Sequence, residues 1–406
     1  MRRTVKQNNR KVILDLIRKV QVFSIADISL ETGISKTTVK KVLDYYIGNM
    51  LVKEAGKGGS SDEGGKRPSL FQFNKDFGFI ISVHFGPDFI KGMLSNMLGE
   101  SVHTCHFAVN KLQVTDFVDL IVKLVHDFKD LKVLDNRPIL SCVLGLPGIV
   151  DPKNGLSIYS PHYNDWGSNV PVLSMIKKKL QIDIPFYVEN INRYQAFAEK
   201  IIGSAQNVDN FLIIDAIEEG VGAGVVINGT IRHGKHNFSG EIGHMVLSPG
   251  EEDTCICGGH GCFEALVSRT RIEKLIMKGR NEYPGSLIFH QAKTFELEDL
   301  FKAADQKDLL AREVLKDIAY WFSQGVNNVI MINDPQLVII QGIYTRAGEW
   351  FLESIRQNLN QLSYPAIGRS LKLIYSELGQ DRGVIGGAVY AIWDYFETTK
   401  IYDMVT

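Results

Sequence analysis

Apolar residues near the start of the chain recur at spacings of three and four. In KVILDLIRKV at 11–20, Val12, Ile13, Leu16, Ile17 and Val20 share one face, which predicts an amphipathic helix. Ser24 then opens a short helix, Gly33 breaks it, and Ser35 caps another whose apolar face is Val39, Val42, Leu43 and Tyr46. Two helices joined through a glycine turn form the helix-turn-helix pattern. Short strand-like runs at 50–53 and 69–73 flank the polar, glycine-rich GKGGSSDEGGKRP, so a hairpin wing is predicted to follow the helices. From about residue 77 the period changes to apolar strands separated by helical stretches. FGFIISVHF, GMLSNM, PILSCVLGLPG, IPFYVEN, FLIIDAI, GAGVVING and LVIIQG read as strands, and VTDFVDLIVKLVHDFKDL and VPVLSMIKKKL as helices. Alternation of this kind predicts an α/β fold, and about 330 residues of it predict two lobes with a ligand cleft between them.

Charge sharpens the division. Residues 1–75 hold 15 Lys/Arg against 7 Asp/Glu, whereas the whole chain has a formal net charge of −1, so the remainder is acidic. The outward face of the second helix of the pair presents Ser35, Lys36, Thr37, Thr38, Lys40 and Lys41, and Lys66 and Arg67 stand at the base of the wing. Hydroxyls and ammonium groups at a helix N-terminus suit phosphates and base edges, so double-stranded DNA is the expected partner of residues 1–75. No apolar run approaches the roughly 18 residues of a membrane span, and Asp15, Arg18 and Lys19 interrupt any signal-peptide core. A cytoplasmic protein that does not bind membranes is expected.

Three of the five cysteines lie within eight residues, in GEIGHMVLSPGEEDTCICGGHGCFEAL at 240–266. An odd cysteine count with this clustering is not a disulfide framework; it suits metal binding or catalysis. His244, Cys255, Cys257 and Cys262 have the composition of a closed tetrahedral structural zinc site, with His260 a rival imidazole inside the loop. Cys105 and Cys142 sit in apolar surroundings and read as small buried side chains.

The order of helix-turn-helix, wing and two α/β lobes carrying GVGAGVVINGTIRHGKHNFSGEIGHM and CICGGHGCFEA resembles the ROK family of repressors, open reading frames and sugar kinases. GLPGIVDPKNG at 145–155, SPHYNDWGSNVPV at 160–172, YVENIN at 187–192 and GQDRGVIGGA at 379–388 extend the resemblance over nearly the whole chain. It implies a winged helix-turn-helix at 1–75 followed by a two-lobed actin/hexokinase-like, ribonuclease-H-like domain. The first lobe would run over 76–190 and the second over 191–406, with the C-terminal helix returning to the first. It also assigns zinc to His244, Cys255, Cys257 and Cys262. A sugar is assigned to Asn190, Glu241, His244 and Glu264, with His162 where many members have asparagine.

Kinases of the family carry a catalytic aspartate directly after Glu-Asn, because a sugar hydroxyl needs a base during phosphoryl transfer. Ile191 holds that position here, and Glu189 is a poor substitute. Their first phosphate turn reads Asp-x-Gly-Gly-Thr; here it is His84-Phe85-Gly86-Pro87-Asp88, which removes an N–H donor and adds a negative charge. Gln341 stands where the adenosine side usually has glycine, while the loop from Gly220 to Gly224 survives, although glycines there also serve close strand packing. No catalytic residue is therefore expected. The resemblance implies a sugar-responsive transcriptional regulator, a repressor acting as a homodimer or homotetramer with a sugar or sugar derivative as effector. An active sugar kinase with an appended DNA-binding domain is the alternative.

Overall fold

Helix α1 (Val5–Ile17) starts at Val5 rather than Lys11 in the computed structural model, which describes residues 4–59, 67–290, 295–362, 371–398 and 400–402. Its first turn is polar and invisible to an apolar period. It forms because Thr4 and Gln7 make a reciprocal capping box, each side chain bonding the other's backbone N–H. Ser24 and Asp27 cap α2 (Ile25–Thr32) in the same way, and Gly33 ends it in the left-handed region at φ 70°. Ser35 caps α3 (Lys36–Gly48), which buries Val39, Val42, Leu43 and Tyr46. Strands β1 (Val52–Lys57) and β2 (Ser69–Phe73) pair antiparallel to form the wing, with Val52 opposite Phe73. Lys66 and most of the wing turn lie outside the described residues.

The rest of the chain builds one sheet topology twice. β3 (Phe79–Phe85), β4 (Phe89–Asn96) and β5 (Ser101–Ala108) form an antiparallel meander. α4 (Val114–Lys129) crosses over to β6 (Ile139–Leu146). The hairpin of β7 (Ile149–Asp151) and β8 (Leu156–Tyr159), then α5 (Val172–Leu180), leads to β9 (Phe186–Asn190). β6 and β9 add in parallel, giving the order β5-β4-β3-β6-β9. After α6 (Ile191–Ile201), the meander returns as β10 (Phe211–Ile217), β11 (Gly220–Ile227) and β12 (Thr230–Ile231). Helices α7 (Phe263–Leu266), α8 (Arg269–Gly279), α9 (Leu297–Asp305) and α10 (Leu309–Asn333) precede β13 (Leu337–Gly342). α11 (Gly348–Leu362) connects β13 to β14 (Lys372–Tyr375), and the order β12-β11-β10-β13-β14 matches the first sheet. Insertions of unequal length between equivalent strands hide this repeat from any fixed sequence period.

Central strands explain the continuous apolar runs. β3 and β10 each have neighbours on both sides and are covered on both faces, so nearly every residue is buried. β5 is an edge strand on which exposed and half-buried residues alternate, and His103, Thr104 and His106 masked it as a strand in the sequence. Cys105, on β5, is consequently half-buried rather than a core residue, whereas Cys142 on β6 is fully buried. α12 (Arg382–Thr398) packs on β3, β4 and β6 and against α6, so this helix returns to the first sheet. No helix among the described residues is long and apolar enough to cross a membrane.

The glycines of β11 serve packing. A Cβ on Gly224 would meet the Asn192 carbonyl and the Ala196 methyl as α6 crosses the strand. Gly224→Ala is therefore expected to destabilise the protein by about 1–3 kcal/mol through overpacking, read as a lowered denaturant midpoint.

Candidate ligand cleft and metal centre

A cleft of about 770 Å³ opens where the two sheets face each other, within the range of small-molecule sites. The first lobe lines it with the β3–β4 turn, Gly148, His162, Asn190 and Ile191. The second contributes Asp215, the Gly220–Gly222 strand, Glu241, His244, Glu264 and Gln341.

The metal cluster closes one wall. A short turn at Ile242–His244 is pressed onto β11 because Gly243 leaves no room for a Cβ beside the Val221 carbonyl. That places His244 Nδ1 3.4 Å from Cys255 Sγ, while Cys257 Sγ and Cys262 Sγ are 3.9 Å apart. All four ligand atoms lie within 4.8 Å of one another. Zinc–sulfur bonds of about 2.3 Å in a tetrahedron require sulfur atoms roughly 3.8 Å apart, so the donor set fits zinc and leaves no position for water. His260 is exposed, in a strand-like bridge with Thr254, and does not join the cluster. Burial pushes the Cys255 and Cys262 thiols up, so their thiolates need a cation beside them. The loop is also tied to its own lobe: Asp253 accepts from Arg271 at 2.6 Å, and Arg271 reaches Asp317 at 2.9 Å.

Beside this wall lie the polar groups of the cleft. Glu264 accepts from the Val221 N–H at 3.1 Å, and its other oxygen lies 3.3 Å from Cys255 Sγ, so this side chain sits between β11 and the cysteine loop. Asn190 caps α6 through Oδ1, and its Nδ2 donates to the Gly148 carbonyl at 2.7 Å, leaving one amide hydrogen for a ligand. Burial above all pushes the Glu241 carboxyl up, with His244 and Arg193 opposing and Glu264 adding to the rise. Burial pushes His162 down, against the pull of Glu264. Carboxylates, an amide and imidazoles on one concave wall can both accept from and donate to a polyhydroxyl ligand.

In the opposite half of the cleft the polar groups are bonded to one another. In the β3–β4 turn the Gly86 N–H donates to the Phe89 carbonyl at 2.9 Å, Pro87 has no N–H, and Tyr163 ties down the Gly86 and Pro87 carbonyls. Ile191 reaches the cleft but is only 7% exposed and cannot accept a proton. Glu189 is bonded to Arg193 at 2.9 Å and His233 at 2.7 Å. Gln341 is fully buried and donates to Glu199 at 2.9 Å, with Ser376 joining the same carboxylate. Arg382 reaches across to Asp215 at 2.7 Å, and beside it burial pushes His84 down to about 3, so the imidazole is neutral near that guanidinium. Asp215, Arg382, Lys91 and Glu199 did not emerge from sequence patterns, although an aspartate inside FLIIDAI, an otherwise apolar strand, is a readable signal of a buried partner.

On α3, Ser35, Lys36, Thr37, Lys40 and Lys41 are exposed, as is Arg67 beside β2. Thr38 differs from the expectation of a free reading side chain. It is half-buried, and its hydroxyl lies 3.0 Å from that of Ser35, within the cap.

Comparison with known proteins agrees with this architecture. The ROK family model matches residues 80–393. The xylose repressor of Bacillus subtilis (strain 168) is 29% identical over 99% of this chain and 98% of its own length. A glucokinase of Halalkalibacterium halodurans is 29% identical over 76% of this chain and 93% of its own. The crystal structure of a ROK family transcriptional regulator, a homolog of the E. coli MLC protein, superposes with a TM-score of 0.79 at 25% identity, over 98% of this chain and all of that one.

Proposed function

Because the chain belongs to the ROK family, we propose that it is a sugar-responsive transcriptional repressor whose kinase-like cleft binds an effector and whose winged helix binds operator DNA. One observation carries this reading: likeness to a repressor runs through both the winged helix and the lobes, whereas likeness to the glucokinase leaves about a quarter of the chain unmatched. His162, Asn190, Glu241, His244 and Glu264 would hold the sugar. His244, Cys255, Cys257 and Cys262 would hold zinc, which contributes folding free energy and a rigid wall. Ser35, Lys36, Thr37, Lys40 and Lys41, with Lys66 and Arg67 of the wing, would meet DNA, and Thr38 would support the helix cap. Two or four copies would act together, since paired modules are needed for tight operator binding.

A thermal-shift screen of monosaccharides, amino sugars and sugar phosphates, followed by operator binding in the presence of each hit, tests the reading. A sugar that raises the thermal midpoint and changes operator affinity is the expected result; a sugar hit with no effect on DNA binding refutes it. The similarity to glucokinases supports the kinase alternative, which makes the opposite forecast for catalysis. With ATP and magnesium, no sugar-dependent ADP release above background is expected, because the base position and the first phosphate turn are both altered. Ile191→Asp alone should not create a kinase, since the Gly86 N–H stays engaged and Pro87 has none to offer.

A further inference from the structure

The two ends of α12 touch different parts of the molecule. At its start, Asp381 pairs with Lys91 of β4 in the first lobe, and Arg382 Nη2 lies 2.7 Å from Asp215 Oδ1 of β10 in the second. At its far end Phe396 packs against Phe73 and Phe77, the Arg18 guanidinium lies 4.2 Å over the Phe396 ring, and Lys11 of α1 pairs with Glu397. A helix of 17 residues spans about 25 Å. One rod therefore joins the inner edge of the cleft to the seat of the DNA-binding module.

We propose that α12 carries the state of the cleft to the winged helix, and that the Asp215–Arg382 pair between the lobes sets its position. The proposal rests on the regulator reading above for its biological meaning, but not for its geometry. An arginine at the first position of a helix sits at the positive end of the helix dipole, where a cation is disfavoured. Asp215, which is buried, offsets that cost for a half-buried Arg382, so losing either partner leaves a poorly solvated charge without its counter-ion. Just beyond, the helix is held hard against β3 of the first lobe and against α6. Ser82 Oγ donates to the Val384 carbonyl at 2.6 Å, and a Cβ at Gly383, Gly386 or Gly387 would collide with His84, the Tyr194 backbone or Ser82.

These contacts act as a fulcrum, with a short arm at 381–382 and a long arm over 388–398. Rotation of the second lobe on a ligand pulls on Arg382 through Asp215, and a small tilt there becomes a larger displacement at Phe396. The far end transmits it because Ile392 and Phe396 share one apolar cluster with Ile13, Leu14, Ile17 and Phe73. Asp215 and Arg382 both line the cleft, so a ligand that favours one lobe arrangement biases the pair, which is the differential affinity that coupling requires.

Hydrogen exchange of the full-length protein tests this without DNA or sugar. Asp215→Asn is expected to raise exchange about tenfold in residues 5–17 and 390–398 while leaving β3 unchanged. The charge swap of Asp215→Arg with Arg382→Asp should restore exchange to within about threefold of wild type. Operator affinity, measured on DNA from the chain's own promoter region, should shift about tenfold in the single variant and recover in the swap, whereas the global unfolding midpoint of the single variant should stay close to wild type, which a merely structural role would not allow. A folded Asp215→Asn protein with wild-type exchange over 5–17 overturns the proposal. Should that variant fail to fold, Lys91→Met, at the more exposed pair, is measured in the same way: raised exchange over 5–17 supports the lever, and wild-type exchange overturns it. Failure of the wild-type protein to bind any promoter DNA would remove the regulator reading alone, and exchange would still decide the lever.

Discussion

Cys257→Ser is expected to reduce bound zinc from about one per chain to near zero and to abolish sugar binding, while operator binding partly survives. Cys257 is the informative ligand to change because its side chain is exposed; Cys255 and Cys262 are buried, so substituting them would disturb packing as well as metal. Structural zinc in small peptide sites contributes about 10–16 kcal/mol near neutral pH, and three donors without the fourth hold it far more weakly. Apart from the ion pairs of Asp253 with Arg271 and Lys274, the loop has little apolar burial to order it. Val246 and Ile256 are about half exposed, at 55% and 47%, and Gly258 and Gly261 have positive φ. Once the loop loosens, His244 leaves the cleft wall, and Glu241 and Glu264, three residues before His244 and two after Cys262, lose their anchors, so three of the proposed sugar-binding groups are no longer fixed relative to Asn190. The winged helix is spared because its apolar cluster includes no residue of the zinc loop. Metal analysis of protein purified under reducing conditions, with the thermal shift on a sugar found by screening, checks both halves. Well-folded wild-type protein with no zinc would sink the assignment.

How much of this was legible in the sequence depended on whether the relevant interaction is local. Ser24, Gly33 and Ser35 punctuate their helices through bonds to residues three or four positions away, and a sequence states such bonds directly. The start of α1 was missed because its cap is local but its first turn has no apolar period. β5 was missed because an edge strand with one solvent-facing side carries few apolar residues. The metal residues were readable because four ligands with a single preference leave a compositional mark, although choosing His244 over His260 required either the resemblance or the geometry. The ion pairs Lys91–Asp381 and Asp215–Arg382 join residues 290 and 167 positions apart, and no window along the chain contains both partners. The glycines of Gly220–Gly224 left two readings open, a phosphate loop or close strand packing, and the structure shows the packing: Asn192 and Ala196 fill the space beside Gly222 and Gly224.

Salt-titrated binding to the chain's own promoter region should show a preference of at least about a thousandfold over scrambled DNA at physiological salt, the usual lower bound for a specific operator. The site should be a pseudo-palindrome with half-sites about 34–36 Å apart or a multiple of that, because symmetric oligomers present paired modules. Within one module, the proposed contacts divide along α3 by position. Lys40 and Lys41 are exposed one turn into the helix and carry charge without shape, so neutralising either should weaken binding to all sequences alike and reduce the salt slope by about one. Thr37 is the exposed hydroxyl-bearing residue of the first turn; Thr37→Val should change which base is preferred at one position, by about 1–3 kcal/mol, with little change in slope. Thr38→Ala should behave differently from both. Its hydroxyl belongs to the cap with Ser35, so the loss should appear first as a lower thermal midpoint of the winged helix and only through it as weaker binding. Equal affinity for promoter and scrambled DNA at physiological salt would leave only nonspecific electrostatics, and the chain would then be a sugar-binding protein with a basic appendage.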